Sequence, residues 1–305
     1  MGRSGVPMVA RQSDGDDRAG ASGPEPAGTR VAVISPFRSR GETRGTLPQV
    51  VTPLRRPFDG PLLPQGKDPA RVWESLTALT PPRMQLLRTG LAPLHDRDAT
   101  SAAMDLLRAR ILPVLTERAW TRLGIAAPTP GCGASFVTLG LGMSLSRLPA
   151  LHTLMVDLDL RRPGLARLLG IEEPGRLSDL LTDDQPIESV LWRMGSNLAL
   201  ALNAQPFPDP AVVLQDEATA RALDGLAEVL QPDVVLYDLP PVLASDDVIA
   251  FAPQMDALLL VADGSRTTAE DIRRCECLLD GRVPILGVVL NRAQDESARR
   301  LPPGR

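Results

Sequence analysis

Residues 123–141, LGIAAPTPGCGASFVTLGL, join an apolar run to a glycine-containing loop and a second apolar segment. The run 123–127 is typical of a buried strand, and the segment after the loop is typical of a helix. Glycines in such a loop let backbone N–H groups converge on a phosphate, and the positive end of the helix dipole points at the same place. Residues 129–135, TPGCGAS, are therefore a candidate phosphate-binding loop.

The loop lacks one expected residue. A phosphate loop carries a lysine immediately before its serine or threonine, and here Ala134 occupies that position. Lys67 is the only lysine in the chain, so its other long cationic side chains are all arginines. Drift in such a composition would favour arginine, and the alanine therefore removes the charge instead of exchanging one cation for another.

From Leu123 onward, apolar strand-like runs alternate with helical segments. This alternation predicts an α/β fold with a doubly wound, mostly parallel sheet, in which ligands bind at the carboxyl ends of the strands. The predicted strands are 123–127, 153–158, 198–202, 234–237, 257–261 and 285–290. The predicted helices are 101–115, 135–148, 165–169, 178–182, 187–194, 216–230, 246–251 and 268–279, with Ser135 as the N-cap of the second and a capping box from Thr268 to Asp271 in the last.

Acidic residues end two of these strands. Asp157 and Asp159, with Arg161, follow the second strand in VDLDLRRP, and Asp238 ends the fourth in YDLPP. Each motif alone is more often a turn, a cap or a strand stop. Flanking a glycine loop in one α/β chain, however, they supply the oxygen ligands that Mg²⁺ prefers beside a phosphate. Their order therefore predicts an Mg²⁺–phosphate site.

Composition divides the chain into four parts. The first 70 residues contain 10 Pro and 10 Gly with little periodicity, which predicts a disordered or loosely docked tail over 1–67. Residues 68–100 have the pattern of a short helical linker, 101–295 that of the α/β domain, and 296–305 that of a C-terminal tail.

Charge, cysteines and hydropathy exclude several classes of protein. The first 100 residues hold 14 basic and 10 acidic side chains and the remainder 19 and 27, and an acidic body argues against nucleic-acid binding. Cys132, Cys275 and Cys277 do not form a disulfide or metal-binding pattern. No run approaches the roughly 18 to 20 apolar residues of a membrane span, and no secretory signal is visible at the N-terminus. We expect a cytoplasmic protein without direct membrane insertion.

Three longer segments resemble the cytoplasmic P-loop tyrosine kinases of bacterial capsule and exopolysaccharide synthesis, the CpsD/CapB-like type. They are TLMVDLDLRRPGLARLLGIEEPGRLSDLLTD from Thr153, VVLYDLPPVLASDDVIAFAPQMDALLLVADGSRTT from Val234 and ILGVVLNRA from Ile285. The first holds the family's DxDxR motif and the second its Walker B motif, DxxP. The resemblance covers about 101–293 and implies a P-loop NTPase fold of the SIMIBI class, related to MinD and ParA.

The resemblance also implies roles for individual residues. Asp157, Asp159 and Asp238 would be catalytic, Ser135 would hold Mg²⁺ together with Asp157 and Asp238, and Asn291 would lie near the adenine. With ATP and Mg²⁺ as cofactors, the implied nucleotide-binding set is Gly131, Cys132, Gly133, Ala134, Ser135, Phe136, Arg161 and Asn291. Family members pair with a membrane polysaccharide co-polymerase, so the resemblance implies such a partner and a peripheral position at the inner membrane.

Three departures from the family limit this transfer. A charge-assisted hydrogen bond contributes about 1.5–3 kcal/mol, so Ala134 would weaken nucleotide binding by roughly 10- to 150-fold and phosphoryl transfer by more. The family's C-terminal tyrosine cluster is absent, because Tyr237 is the only tyrosine. The self-association motif ExxRxxR aligns with Ala102, Asp105 and Arg108, which keeps only its last position and leaves homo-oligomer formation open.

The sequence thus favours a tyrosine-kinase-like protein of exopolysaccharide production or export that binds Mg-ATP weakly and has reduced or lost kinase activity. Two alternatives stay open. In one, an arginine such as Arg161 or Arg162 replaces the lysine, and the protein is an active ATPase or kinase. In the other, it is a positioning ATPase of the ParA or MinD kind, although the two loop lysines of those proteins are not present here.

Overall fold

The structure is a computed structural model, and it describes residues 68–91, 98–174, 177, 190–203 and 205–293 together with the backbone of 32–34. Its strands are β1 Ala32–Ile34, β2 Thr77–Ala78, β3 Arg122–Ala126, β4 Thr153–Asp157, β5 Leu191–Met194, β6 Leu198–Ala201, β7 Val234–Asp238, β8 Ala257–Asp263 and β9 Ile285–Asn291. Its helices are α1 Pro69–Ser75, α2 Arg83–Thr89, α3 Ala99–Arg118, α4 Ala134–Leu145, α5 Leu165–Leu169, α6 Pro210–Gln215, α7 Glu217–Leu230, α8 Asp247–Phe251 and α9 Ala269–Leu279.

The strands form a single sheet in the order β1-β9-β8-β3-β7-β4-β6-β5-β2. The six strands from β9 to β6 are parallel, whereas β1 is antiparallel to β9 and β5 is antiparallel to β6. Every residue of β3, β4 and β7 is buried, which explains why their sequences are continuously apolar rather than alternating. The predicted doubly wound α/β architecture is confirmed.

Helices cover both faces of the sheet. Buried side chains of α2, α3, α4 and α5 pack on one face, and those of α1, α7, α8 and α9 pack on the other. The linker before the domain is anchored through Trp73, whose indole N–H donates to the carbonyl of Leu230 at 2.8 Å. Residues 68–91 form the two short helices α1 and α2, which pack on opposite faces of the sheet.

The prediction of a helix at 187–194 is wrong over residues 191–194, which form strand β5. Gly195, in the left-handed region at φ 69°, lies in the turn that pairs β5 with β6 as an antiparallel hairpin. The apolar residues at the two ends of LWRM fit either a helix turn or a short strand, and the hairpin partner decides between them.

Smaller differences concern helix boundaries. Helix α4 begins at Ala134 with Gly133 as its N-cap, so Ser135 lies inside the first turn and is not the cap. Helix α6, which the sequence pattern did not predict, begins at Pro210 after Asp209. The capping box of α9 at Thr268 and Asp271 is confirmed. The predicted helix 178–182 and the tail 296–305 lie outside the described residues. Strand β1 lies within the predicted tail 1–67, most of which is also outside them.

Candidate functional site

The loop after β3 forms the floor of the candidate site. It connects a central, fully buried strand to the N-terminus of α4, so the first-turn N–H groups of that helix face the loop's open side. Gly131 and Gly133 adopt left-handed φ values of 85° and 93°, which glycine reaches without strain. A Cβ on Gly133 would also overlap the side-chain amide of Asn291. Both glycines are therefore required by the geometry of the loop.

Two residues at the end of β9 bind the outer side of this loop. The Nδ2 atom of Asn291 donates to the carbonyl of Cys132 at 2.8 Å. The Nη1 atom of Arg292 donates to the carbonyl of Gly131 at 2.8 Å and to the Asp263 carboxylate at 2.7 Å. Burial raises the pKa of Asp263, but hydrogen bonds from Ser265 and the pairing with Arg292 outweigh it, so that pKa is lowered. A charged carboxylate thus anchors the arginine.

A cavity of about 400 Å³ opens above the loop. Residues 129–136 line it together with Asp159, Arg162, Arg167, Asn291 and Arg292. At Ala134, where the lysine of a phosphate loop would stand, only a methyl group faces this region. The sequence prediction that residues 131–136 and Asn291 belong to one site therefore agrees with the geometry, and a binding role for them stays a prediction.

Asp157 and Asp238 end the neighbouring strands β4 and β7 and lie opposite each other in register. Both side chains are fully buried. Burial, and then the charge of Asp238, raises the pKa of Asp157 well above its usual value, although N–H groups of Leu165 and Gly164 oppose this. Burial also raises the pKa of Asp238 to about 7, while the Ser135 and Thr138 hydroxyls lower it in part. Ionisation of both carboxyl groups is unfavourable unless a cation lies nearby.

The oxygen atoms at this site are suitable ligands for Mg²⁺. Oδ1 of Asp157 and Oδ2 of Asp238 have no hydrogen-bond partner within the part of the chain that the structure describes. The Ser135 hydroxyl lies close to Asp238 and to Gly164. No group of three or more His, Cys, Asp or Glu side chains among the described residues is arranged to hold a metal. A cation would therefore need oxygen ligands from a bound phosphate and water, as Mg²⁺ commonly does.

Asp157 has a second task in the fold. Its Oδ2 atom accepts hydrogen bonds from the N–H groups of Gly164 and Leu165, both at 3.1 Å. These contacts hold the loop between β4 and α5 against the first turn of α4, because Gly164 packs on Ser135. The predicted catalytic carboxylate is thus also the residue that closes this side of the site.

Arg161 does not line the cavity, although the sequence placed it with the nucleotide-binding residues. Its guanidinium forms two hydrogen bonds with Asp247, at 2.6 and 3.0 Å, and Asp247 is completely buried at the start of α8. A buried carboxylate needs a partner, and this requirement takes the arginine away from the loop. Arg162 and Arg167 line the cavity instead, and burial raises the pKa of Asp159 by more than the charge of Arg162 lowers it.

Sequence reasoning missed four residues of the site. Arg292 and Asp263 form an ion pair beside the loop, and Thr138 contacts Asp238. Arg167 lines the cavity from α5. Thr138 follows Ala134 by one helical turn, and its hydroxyl donates to Asp238 at 3.1 Å. The position of Asp263 at a strand end was a usable signal, whereas Arg167 had none.

Asp105 and Arg108 of α3, which align with the self-association motif, are engaged within the chain. Asp105 accepts from the Ser144 hydroxyl at 2.5 Å and from Arg147 at 2.9 Å, and Arg108 donates to the carbonyl of Ser144.

Across the described ranges, no helix is both long and apolar enough to cross a bilayer.

Comparison with known proteins identifies related chains. No protein-family model matches the sequence. The putative tyrosine-protein kinase EpsB of Ralstonia nicotianae is 31% identical over 177 residues, which are 57% of this chain and 23% of the relative. The putative tyrosine-protein kinase AmsA of Erwinia amylovora is 26% identical over 225 residues, 73% of this chain and 30% of the relative. The chain therefore spans less than a third of the length of these curated relatives.

Solved structures of bacterial tyrosine-kinase domains are similar to this chain as well. The BceF tyrosine kinase domain is 27% identical, with a TM-score of 0.58, over 73% of this chain and 97% of that domain. The kinase domain of Escherichia coli tyrosine kinase ETK has a TM-score of 0.61 over 68% of this chain and 81% of that one, and at 24% identity it supports the fold alone. In sequence and in its P-loop-type α/β fold, the chain is similar to bacterial tyrosine kinases and their kinase domains.

Proposed function

We propose that this protein binds Mg-ATP at the loop 131–135 and regulates exopolysaccharide biosynthesis or export, with kinase activity that is reduced or lost. The observation that carries the proposal is the loop itself. It has the glycine conformations, the helix N-terminus and the flanking acidic strand ends of a phosphate site, but Ala134 in place of the lysine.

The residues of the site have separate roles in this proposal. Main-chain N–H groups of 131–135 bind the phosphates, and the side chains of Ser135, Asp157 and Asp238 hold Mg²⁺. Bound Mg²⁺ would neutralise phosphate charge and orient the terminal phosphoryl group. Asp159, partly buried at the cavity wall, faces the same space and is the remaining carboxylate available to an attacking hydroxyl.

Binding and turnover depend differently on the missing lysine. Main-chain contacts and Mg²⁺ act on the bound nucleotide as much as on the transition state, so binding persists without the lysine. Fixed cations stabilise the negative charge on the phosphoryl group during transfer, so removal of one cation lowers the rate more than the affinity.

The single tyrosine, Tyr237, is buried in β7 and is not a substrate. We propose that the protein acts on a membrane polysaccharide co-polymerase, by analogy with the family that it resembles.

A titration of Mg-ATP into the wild type and Ala134→Lys tests this function. We expect weak binding in both, tighter by roughly 10- to 150-fold in Ala134→Lys, and phosphoryl transfer or hydrolysis only in the lysine variant. Asp238→Asn in each background is the matched control, because it removes the Mg²⁺ ligand and leaves the loop intact. Undetectable binding in both proteins would refute a nucleotide site.

A second function is favoured by the arginines at the cavity wall. Arg162 and Arg167 line the cavity, so an active ATPase or protein-tyrosine kinase could use one of them as the cation. Hydrolysis by the wild type that is lost in Arg162→Gln or Arg167→Gln and retained in Arg71→Gln, an exposed position on α1, would establish this alternative.

A further inference from the structure

We propose that Asn291 and Arg292 are positioning residues that fix the peptide groups of the loop 131–133 so that its N–H groups point into the cavity. This inference rests on the proposed function, because it explains how phosphate is bound when the loop has no lysine. It assigns Asn291 a different task from contact with adenine, the role that the family resemblance implies.

The argument begins with the peptide planes. In a trans peptide, the carbonyl of one residue and the N–H of the next point in opposite directions. Arg292 binds the Gly131 carbonyl and Asn291 binds the Cys132 carbonyl, both at 2.8 Å. The N–H groups of Cys132 and Gly133 are consequently turned away from β9, as an anion-binding nest of successive N–H groups requires.

Both polar atoms of the Asn291 side chain are already engaged. Its Nδ2 atom donates to Cys132, and its Oδ1 atom accepts from the N–H of Arg292 at 3.0 Å. The residue is 1% exposed, and the absent Cβ of Gly133 is what leaves room for its amide. Each atom makes one of the two hydrogen bonds open to it, and the near-complete burial of the residue leaves little of the amide accessible to a base, so the structure favours a task within the loop.

The conformation of Arg292 is also fixed by its contacts. Its φ of 54° lies in the left-handed region, which is energetically costly for a non-glycine residue. The ion pair with the fully buried Asp263, which Ser265 also contacts at 2.7 and 2.9 Å, offsets that cost. The loop therefore does not have to be ordered by its ligand. A pre-ordered site binds more tightly, because the ordering entropy is not lost on binding.

Binding of Mg-tripolyphosphate beside Mg-ATP distinguishes positioning from base recognition, since tripolyphosphate has no base. We expect Asn291→Leu to weaken both ligands by the same factor, about 5- to 10-fold for one lost hydrogen bond. Weaker ATP binding with unchanged tripolyphosphate binding would overturn the proposal in favour of adenine contact. Asn291→Asp, which keeps the acceptor and loses the donor, replaces Asn291→Leu if that variant does not fold.

At position 292, lysine should restore phosphate binding and glutamine should not. One nitrogen makes both of its contacts, so a lysine at the same position can bind the Gly131 carbonyl and Asp263 together. Arg292→Lys should stay within about 3-fold of the wild type, whereas Arg292→Gln should lose about 10-fold. Arg266→Gln is the matched control, because Arg266 carries the same charge beside Gly131, whereas the hydrogen bond to the Gly131 carbonyl comes from Arg292. Equal losses in Arg266→Gln and Arg292→Gln would show that only charge matters, which contradicts the proposal.

The mobility of the Cys132 and Gly133 amides in the unliganded protein, measured by backbone NMR relaxation, gives a readout independent of binding. Order parameters should fall in Asn291→Leu and Arg292→Gln and stay unchanged in Arg292→Lys. If the wild type binds neither ligand, the proposed function fails while the order parameters still decide whether the loop is held. If the variants match the wild type in tripolyphosphate binding and in order parameters, the positioning role fails and the nucleotide site stands.

Discussion

Asp157 and Asp238 lie opposite each other at the ends of adjacent parallel strands, fully buried and each with one carboxylate oxygen that has no hydrogen-bond partner among the described residues. The raised pKa values of both side chains follow from this arrangement. Two buried carboxylates at one strand edge disfavour each other's charge, and a divalent cation would relieve that repulsion.

The pH dependence of stability should report this pair. The pKa of Asp238 is about 7 in the folded protein and near 4 when unfolded, so the folded state binds more protons between these values. The free energy of unfolding should then fall as pH rises from 4 to 7 and recover partly in Mg²⁺. Asp238→Asn should reduce this dependence, leaving the part that the raised pKa of the buried Asp157 contributes, and should add about 1–3 kcal/mol at pH 8. Urea unfolding at pH 5 and 8 measures both, and an unchanged slope in Asp238→Asn would contradict the assignment.

Gly133→Ala should damage the loop more than Gly281→Ala. Both glycines have left-handed φ values, 93° and 68°, but a Cβ at 133 would overlap Asn291 whereas open space surrounds position 281. We expect a loss of about 1 kcal/mol in stability for Gly281→Ala, from backbone strain alone. Gly133→Ala should lose about 2–4 kcal/mol, together with phosphate binding. Similar losses of stability in the two variants would show that the contact with Asn291 is unimportant.

The ion pair between Arg161 and Asp247 should be structural. Arg161→Ala leaves the buried Asp247 without its two guanidinium contacts and should cost about 2–4 kcal/mol of stability. Phosphate affinity should change by less than about 2-fold, because the side chain does not line the cavity. Arg167→Ala should do the reverse, with little loss of stability and roughly 3- to 10-fold weaker binding that is salt-sensitive. Thermal unfolding and phosphate titration of both variants decide the question.

A buried ion pair at the start of β3 should contribute more than an exposed one. Arg122 is 4% exposed and contacts Asp224 at 2.6 Å, so Asp224→Ala leaves a buried cation with fewer partners and should cost about 2–4 kcal/mol. Glu270 and Arg273 form an exposed pair at 2.8 Å on α9, and Arg273→Ala should cost less than about 1 kcal/mol. Equal costs in chemical denaturation would contradict the role given to burial.

Local sequence was sufficient where one element decides its own structure. Five strands that are buried throughout, β3, β4, β6, β7 and β8, are visible as largely apolar runs, because a strand covered on both faces has no polar side to alternate with. The capping box of α9 is visible because Thr268 and Asp271 contact each other's backbone across one helical turn. Strand β5 was missed because four residues carry too little periodicity, and its hairpin partner β6 decides its conformation.

The sequence by itself determined the loop, the missing lysine at position 134 and the acidic residues at two strand ends, since each is a matter of residue type and spacing along the chain. Only the tertiary structure decided which side chains serve that loop. It pairs Arg161 with Asp247, 86 residues away, and brings Asn291 and Arg292 to carbonyls about 160 residues earlier in the chain. Such partners are chosen by the order of strands in the sheet and by the need of buried polar groups for hydrogen bonds, which no local pattern contains.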